Sequence, residues 1–317
     1  MIPKLKITLL CGLLALASGA CRAESPAFPG YTLVWADEFD GTELDRSVWN
    51  VEVNGSGCGN NELEYYIDSP ENVAVRDGKL VLTARRQEHD GKAFTSGRIN
   101  SQGKFAFLYG ILEASIRLPR TDGGLWPAFW AMGNDIREVG WPRCGETDIL
   151  EMGHADGMKE QIPDRLFNGA LHWGPDAASH QQSVGVSRHR PTLQDGEFHT
   201  LRLVWTPEQI AMYADSDPEP YLVHDISDPQ GVGAYFNKHN FILFNLAVGG
   251  DFPGIHDPAQ ITALNDDNGH SASMEVDYVR LYQKEEMISG AGTVDNGKSK
   301  LADDDTDTPV SAFASND

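Results

Sequence analysis

Basic residues are scarce in this chain: 25 lysines and arginines face 47 aspartates and glutamates, a formal net charge of −22. That field repels phosphate backbones and anionic lipid surfaces, which argues against nucleic-acid binding and charge-driven membrane attachment. It also disfavours a sulfated polysaccharide and leaves neutral substrates open. Cysteine is rare as well. Of four cysteines, Cys11 and Cys21 fall in an N-terminal leader, which leaves Cys58 and Cys144. A disulfide-rich scaffold is thereby excluded. One bridge between those two, bracing the region of Glu146, and two buried thiols both stay open. No apolar run reaches the length of a membrane span. No long stretch keeps a helical period, and no internal repeat is present.

What is present begins with an export signal. Lys4 and Lys6 precede an apolar run over residues 7–17, followed by Ser18-Gly19-Ala20. A leader over residues 1–23 is expected, and with it secretion or residence in the cell envelope. Cys21 after Gly19-Ala20 resembles a lipoprotein box, although Ser18 stands where leucine is usual. A lipid anchor at Cys21 is the alternative to ordinary secretion. At the other end, residues 285–317 hold Leu301-Ala302-Asp303-Asp304-Asp305-Thr306-Asp307 and little to bury. They read as a disordered acidic tail.

Between them, residues 24–284 read as one all-β domain. In Glu113-Ala114-Ser115-Ile116-Arg117-Leu118 the apolar side chains alternate strictly. Leu201, Leu203 and Trp205 share a face by the same period, and residues 275–282 form another candidate strand. Asp77-Gly78 punctuates a hairpin ahead of residues 79–85. Many short strands in one chain point to a β-sandwich of two curved antiparallel sheets.

The chemistry concentrates in Gly145-Glu146-Thr147-Asp148-Ile149-Leu150-Glu151-Met152. Side chains two apart on a strand share a face, so Glu146 and Asp148 point together. Glu151 stands five positions from Glu146 and would face away unless one residue near Ile149-Leu150 bulges out. With that bulge the outer α-carbons lie roughly 13 Å apart. Inward-leaning arms could then reach the ~5–5.5 Å used by retaining glycosidases. Trp126, Trp130 and Trp141 flank the segment, and aromatic faces suit sugar rings. The competing reading is a polar strand face paired to arginines on a neighbour.

These residues resemble a known family. The acidic segment looks like the bulged active-site strand of glycoside hydrolase family 16, laminarinase (endo-β-1,3-glucanase) branch. Trp35-Ala36-Asp37-Glu38-Phe39-Asp40-Gly41, Asn60-Asn61-Glu62-Leu63-Glu64-Tyr65-Tyr66, Thr95-Ser96-Gly97-Arg98-Ile99 and Tyr109-Gly110 match it in order. So do Trp126-Pro127-Ala128-Phe129-Trp130, Asn245-Leu246-Ala247-Val248-Gly249-Gly250 and Val276-Asp277-Tyr278-Val279-Arg280. The resemblance spans residues 31–283. It implies a β-jelly-roll sandwich with a concave substrate cleft, and retaining hydrolysis of internal β-1,3 bonds in laminarin-type β-glucan. Some activity on mixed-linkage β-1,3-1,4-glucan is compatible with it. It casts Glu146 as nucleophile, Glu151 as general acid/base and Asp148 as the residue between them, orienting Glu146. Trp126, Trp130 and Trp141 become stacking platforms, with one of Trp126 and Trp130 facing the cleft and the other the core. Asn60, Arg98 and His172 become partners of sugar hydroxyls. Catalysis needs no cofactor; a structural Ca2+ on Glu38, the Gly78 carbonyl and Asp277 is implied, with pairing of those acids to lysine or arginine as the alternative. A monomer is expected. A glucan-recognition protein without hydrolysis, a transglycosylase and a galactan hydrolase are the rival functions, the last because Arg188-His189-Arg190 could take a sulfate.

Overall fold

Alternation lays out the sandwich. In strand His199–Trp205, Leu201, Leu203 and Trp205 are almost wholly buried on one face. In strand Gly110–Arg117, Leu112, Ala114 and Ile116 are fully buried in the same core. The computed structural model describes residues 28–188, 191–289 and 294–295. Among these, two sheets of ten and nine strands enclose one principal apolar core, the β-jelly-roll expected for this chain. The helices described are short, the longest five residues. None is long and apolar enough to cross a membrane.

The ten-stranded sheet runs Leu222–Asp225, Gln209–Ala214, His199–Trp205, Gly110–Arg117, Ser271–Gln283, Lys79–Arg85, Phe94–Ser96, Glu64–Tyr66. Thr32–Asp37 also pairs with Ser271–Gln283, register Thr32 to Gln283, so the first and last long strands are neighbours. The Asp77-Gly78 turn joins strands Val73–Arg76 and Lys79–Arg85, with both φ values positive (50° and 70°). A two-residue hairpin loop of matching twist needs that pair of conformations.

The nine-stranded sheet carries the acidic strand. Its order is Gln181–Ser187, Phe167–Trp173, Glu146–Met152, Leu125–Gly133, Asn240–Val248, Arg98–Asn100, Asn50–Val51. The two central strands divide their side chains between two environments. Leu125 and Phe129 join Phe244 and Leu246 in the core, where the Phe129 and Phe244 rings stack 4.7 Å apart. Ala128, Trp130 and Met132 join Phe241, Leu243 and Cys144 in a second cluster on the opposite, outer face.

The alternative left open for the last two cysteines is decided. Cys58 and Cys144 are free, buried thiols rather than a bridge; Asn54 Nδ2 contacts Cys58 Sγ at 3.3 Å. The segment expected to be unstructured from 285 starts as helix Glu285–Ser289, and Val294–Asp295 pairs with Ala106–Phe107. The leader with Cys21, His189, Arg190 and the rest of the acidic tail lie outside the described residues.

Candidate active site

Register puts the three acids on one face. Met132, Trp130 and Ala128 of the neighbouring strand pair with Glu146, Asp148 and Glu151 respectively. Directly opposed residues share a face, and Ala128, Trp130 and Met132 all belong to the outer cluster. The register slips between Asp148 and Glu151 on both sides of the strand, so the bulge sits at Ile149–Leu150. Ile149 and Leu150 are fully buried in the core. The Tyr221 hydroxyl donates to the Ile149 carbonyl and ties down the displaced backbone.

Each glutamate has its own indole. Trp141 Nε1 donates to Glu146 Oε2 at 2.9 Å. Trp126 Nε1 donates to Glu151 Oε1 at 3.2 Å. Asp148 Oδ2 faces His172 Nε2 at 3.3 Å. The orienting bond that the family reading assigned from Asp148 to Glu146 is thus supplied by Trp141, while Asp148 turns to the imidazole. A carboxylate oxygen of Glu146, one of Asp148 and a ring nitrogen of His172 all fall within 4.8 Å of one another.

Crowding of negative charge shapes proton affinity. Burial, then Asp148, pushes Glu146 up to about 7, against the pull of His172, the Trp141 N–H and Arg98. Burial, then Asp148, lifts Glu151 well above the usual carboxylate range. His172 moves the other way from a buried imidazole. Desolvation opposes its charge, yet the Asp148 hydrogen bond and the three surrounding carboxylates raise it to about 9. The result is one cation beside two glutamates, both pushed toward their protonated forms.

The remaining predicted residues divide. Trp126 and Trp130 both face outward, contrary to the expected split between cleft and core, because four positions along a regular strand returns to the same side. Trp126 stacks on Phe252 at 4.6 Å and 10°. Trp130 donates to Asn245 Oδ1 at 2.8 Å and lies under the Arg98 guanidinium, 4.9 Å from its ring. Arg98 is itself buried and paired to Glu52 at 2.9 Å, so it braces Trp130 and Glu52 from below. Asn60 keeps its contacts within its own loop and to the Asp251 amide. Phe252 and His180 are additional to the residues singled out from sequence, and Asn245 stood there only within a matching segment; for His180 the nearby His172 offered a signal.

The proposed calcium ligands also converge by register. Asp37 pairs with Val279 and Leu80 with Val276, which brings Glu38, Gly78 and the bulged Asp277 to one region of the ten-stranded sheet. Both Glu38 oxygens, however, accept from Arg280 at 2.7 Å. As placed, that carboxylate fits a guanidinium and does not fit an ion ligand.

Known proteins match about four fifths of the chain. A glucan endo-1,3-beta-glucosidase of Cryptopygus antarcticus is 35% identical over 81% of this chain and 93% of its own. The chain belongs to glycoside hydrolase family 16. A Bacteroides ovatus mixed linkage glucan PUL family 16 structure, in complex with G4G4G3G product, superposes with a TM-score of 0.70. It is 41% identical and covers 78% of this chain and 99% of that one. Glucan endo-1,3-beta-glucosidase A1 of Niallia circulans is 32% identical over 82% of this chain, which spans 39% of that protein's length. A family model described as beta-glucan synthesis-associated protein SKN1/KRE6/Sbg1 matches residues 19–144, ending just before the acidic strand of this family 16 chain.

Proposed function

We propose that this family 16 chain is a retaining endo-hydrolase of β-glucan, cutting internal β-1,3 bonds of laminarin-type chains and accepting mixed-linkage β-1,3-1,4-glucan. The observation that carries the proposal is the bulged strand with Glu146, Asp148 and Glu151 on one face, each glutamate held by an indole N–H. The named activities of the Cryptopygus and Niallia relatives support the β-1,3 reading; the Bacteroides complex supports the mixed-linkage one. Export through the leader of residues 1–23 belongs to the same proposal.

In this mechanism Glu151 begins protonated, as its burial beside Asp148 favours, and gives its proton to the departing sugar oxygen. The Trp126 N–H occupies Oε1 and leaves Oε2 for that proton. Glu146 attacks the anomeric carbon as carboxylate. Three groups favour its ionised form: His172, the Trp141 N–H and Arg98. Glu151, now ionised, then takes a proton from the water that splits the glycosyl–enzyme bond, so configuration is retained. Trp126 and Trp130 offer apolar faces alongside.

The deciding experiment compares products from laminarin, lichenan, agarose and carrageenan, with Glu151→Gln as control. Short gluco-oligosaccharides from laminarin, first released as the β-anomer by proton NMR and absent in the variant, are expected. Laminarin binding without cleavage of any of the four would move the protein to recognition.

A further inference from the structure

The strand before the turn ends at Trp173 and the next begins at Gln181, with His172 opposite Gln182. His180 therefore stands one residue outside the closing pair and folds back onto His172. Their facing nitrogens, His172 Nδ1 and His180 Nε2, are 2.9 Å apart. The ring planes differ by 17° with centroids 5.1 Å apart. That separation is two ring radii plus one hydrogen bond, so the imidazoles are nearly coplanar and meet edge to edge. Trp141, the indole that holds Glu146, covers His180 with centroids 4.8 Å apart.

One proton occupies the line between two such nitrogens. If His172 is the cation, both its ring nitrogens carry hydrogen: Nε2 lies 3.3 Å from Asp148 Oδ2 and Nδ1–H needs an acceptor. His180 can serve only while its own Nε2 is bare. Burial and the neighbouring His172 both lower the proton affinity of His180, in agreement with that role. The charged groups acting on His172 are Asp148, Glu146 and Glu151 of the acidic strand, and Arg98 acts on Glu146 from the strand Arg98–Asn100. Among these His180 is the partly exposed end of the chain His180–His172–Asp148.

We propose that His180 is a positioning residue of this site: by accepting the His172 Nδ1–H it holds His172 as a cation beside Asp148, and so favours ionised Glu146. The proposal rests on the glucanase reading for its kinetic consequence, but not for the hydrogen bond itself. Removing the acceptor favours neutral His172, so its titration moves down. An amide oxygen in place of Nε2 restores it.

The test uses the wild type, His180→Leu and His180→Gln. Histidine NMR titration needs no turnover: His172 is expected to titrate about one pH unit lower in His180→Leu, and close to the wild-type value in His180→Gln. The profiles of kcat/KM on laminarin should coincide at the acidic end. The His180→Leu rate should fall about twofold below wild type in the window between the variant's His172 titration and the wild type's, with His180→Gln again resembling wild type. An unmoved His172 titration in His180→Leu overturns the proposal, whatever the melting temperatures. A moved titration with coincident rate profiles overturns the link to Glu146. A wild type inert on every glucan sinks the glucanase reading alone, and the titration still decides whether His180 holds His172.

Discussion

At the scale of single residues, the candidate site trades stability for chemistry. Glu146 rises from its ordinary 4.5 to about 7 through burial and Asp148. The native state then binds a proton more tightly than the unfolded chain, so stability contributed here falls as pH climbs from 4.5 to about 7. Glu146→Gln removes that loss. Its melting temperature should exceed the wild type's at pH 7 and above and match it below pH 4.5, while turnover drops on the order of 10³-fold or more and laminarin binding persists. Equal stabilisation at both pH values would remove the charge argument; near-normal turnover would remove Glu146 as nucleophile. His172 shifts in the same direction, so its contribution also falls as pH climbs, in a higher window. Its affinity is raised from 6.5 to about 9, so its contribution is complete below 6.5 and fades as pH passes about 9. The melting-temperature gap between wild type and His172→Gln should therefore narrow at strongly alkaline pH.

Strands are the scale at which sequence spoke most clearly. Three acids spaced Glu-x-Asp-x-x-Glu between apolar residues demand a slipped residue if they are to share a face, and the slip lies at Ile149–Leu150. Period two also fixes the faces of Trp126 and Trp130; the expectation that they would part ways gave weight to bulk over alternation. What spacing could not carry was pairing between distant segments. The Glu52 partner of Arg98, the Phe252 beneath Trp126 and the fold-back of His180 all depend on which strands and loops become neighbours. The bulge itself makes a two-way prediction. Deleting Ile149 reduces the interval from Glu146 to Glu151 to four and keeps the acids together without a slip. Inserting one residue there makes the interval six, also even, so the acids still share a face on a regular strand, but their α-carbons move to roughly 20 Å apart, beyond the reach of a retaining pair. Turnover should rank wild type, deletion, insertion, and be lost in the last. An insertion variant as active as the wild type would contradict the dependence on carboxylate separation.

For the whole molecule, the Glu38–Arg280 pair joins segments 242 residues apart in sequence. Both partners are partly exposed, so screening limits the pair to about 1 kcal/mol. Arg280→Gln should lower the melting temperature by a few degrees at most. If calcium is the true partner of Glu38, adding it should restore the variant, and a chelator should lower the wild type's melting temperature more than its turnover. If calcium and chelator change neither protein, the guanidinium is the clasp.

The pairing of Thr32 with Gln283 carries a further consequence. Chain entry into the sandwich and chain exit from it lie side by side, about one strand spacing apart. Such a unit can be spliced into a longer polypeptide as a bead on a looped thread, because flanking segments meet at one doorway and need not stretch around the body. A circular permutant linked there by a few glycines and reopened at the exposed Asp90-Gly91 turn should fold and keep its activity.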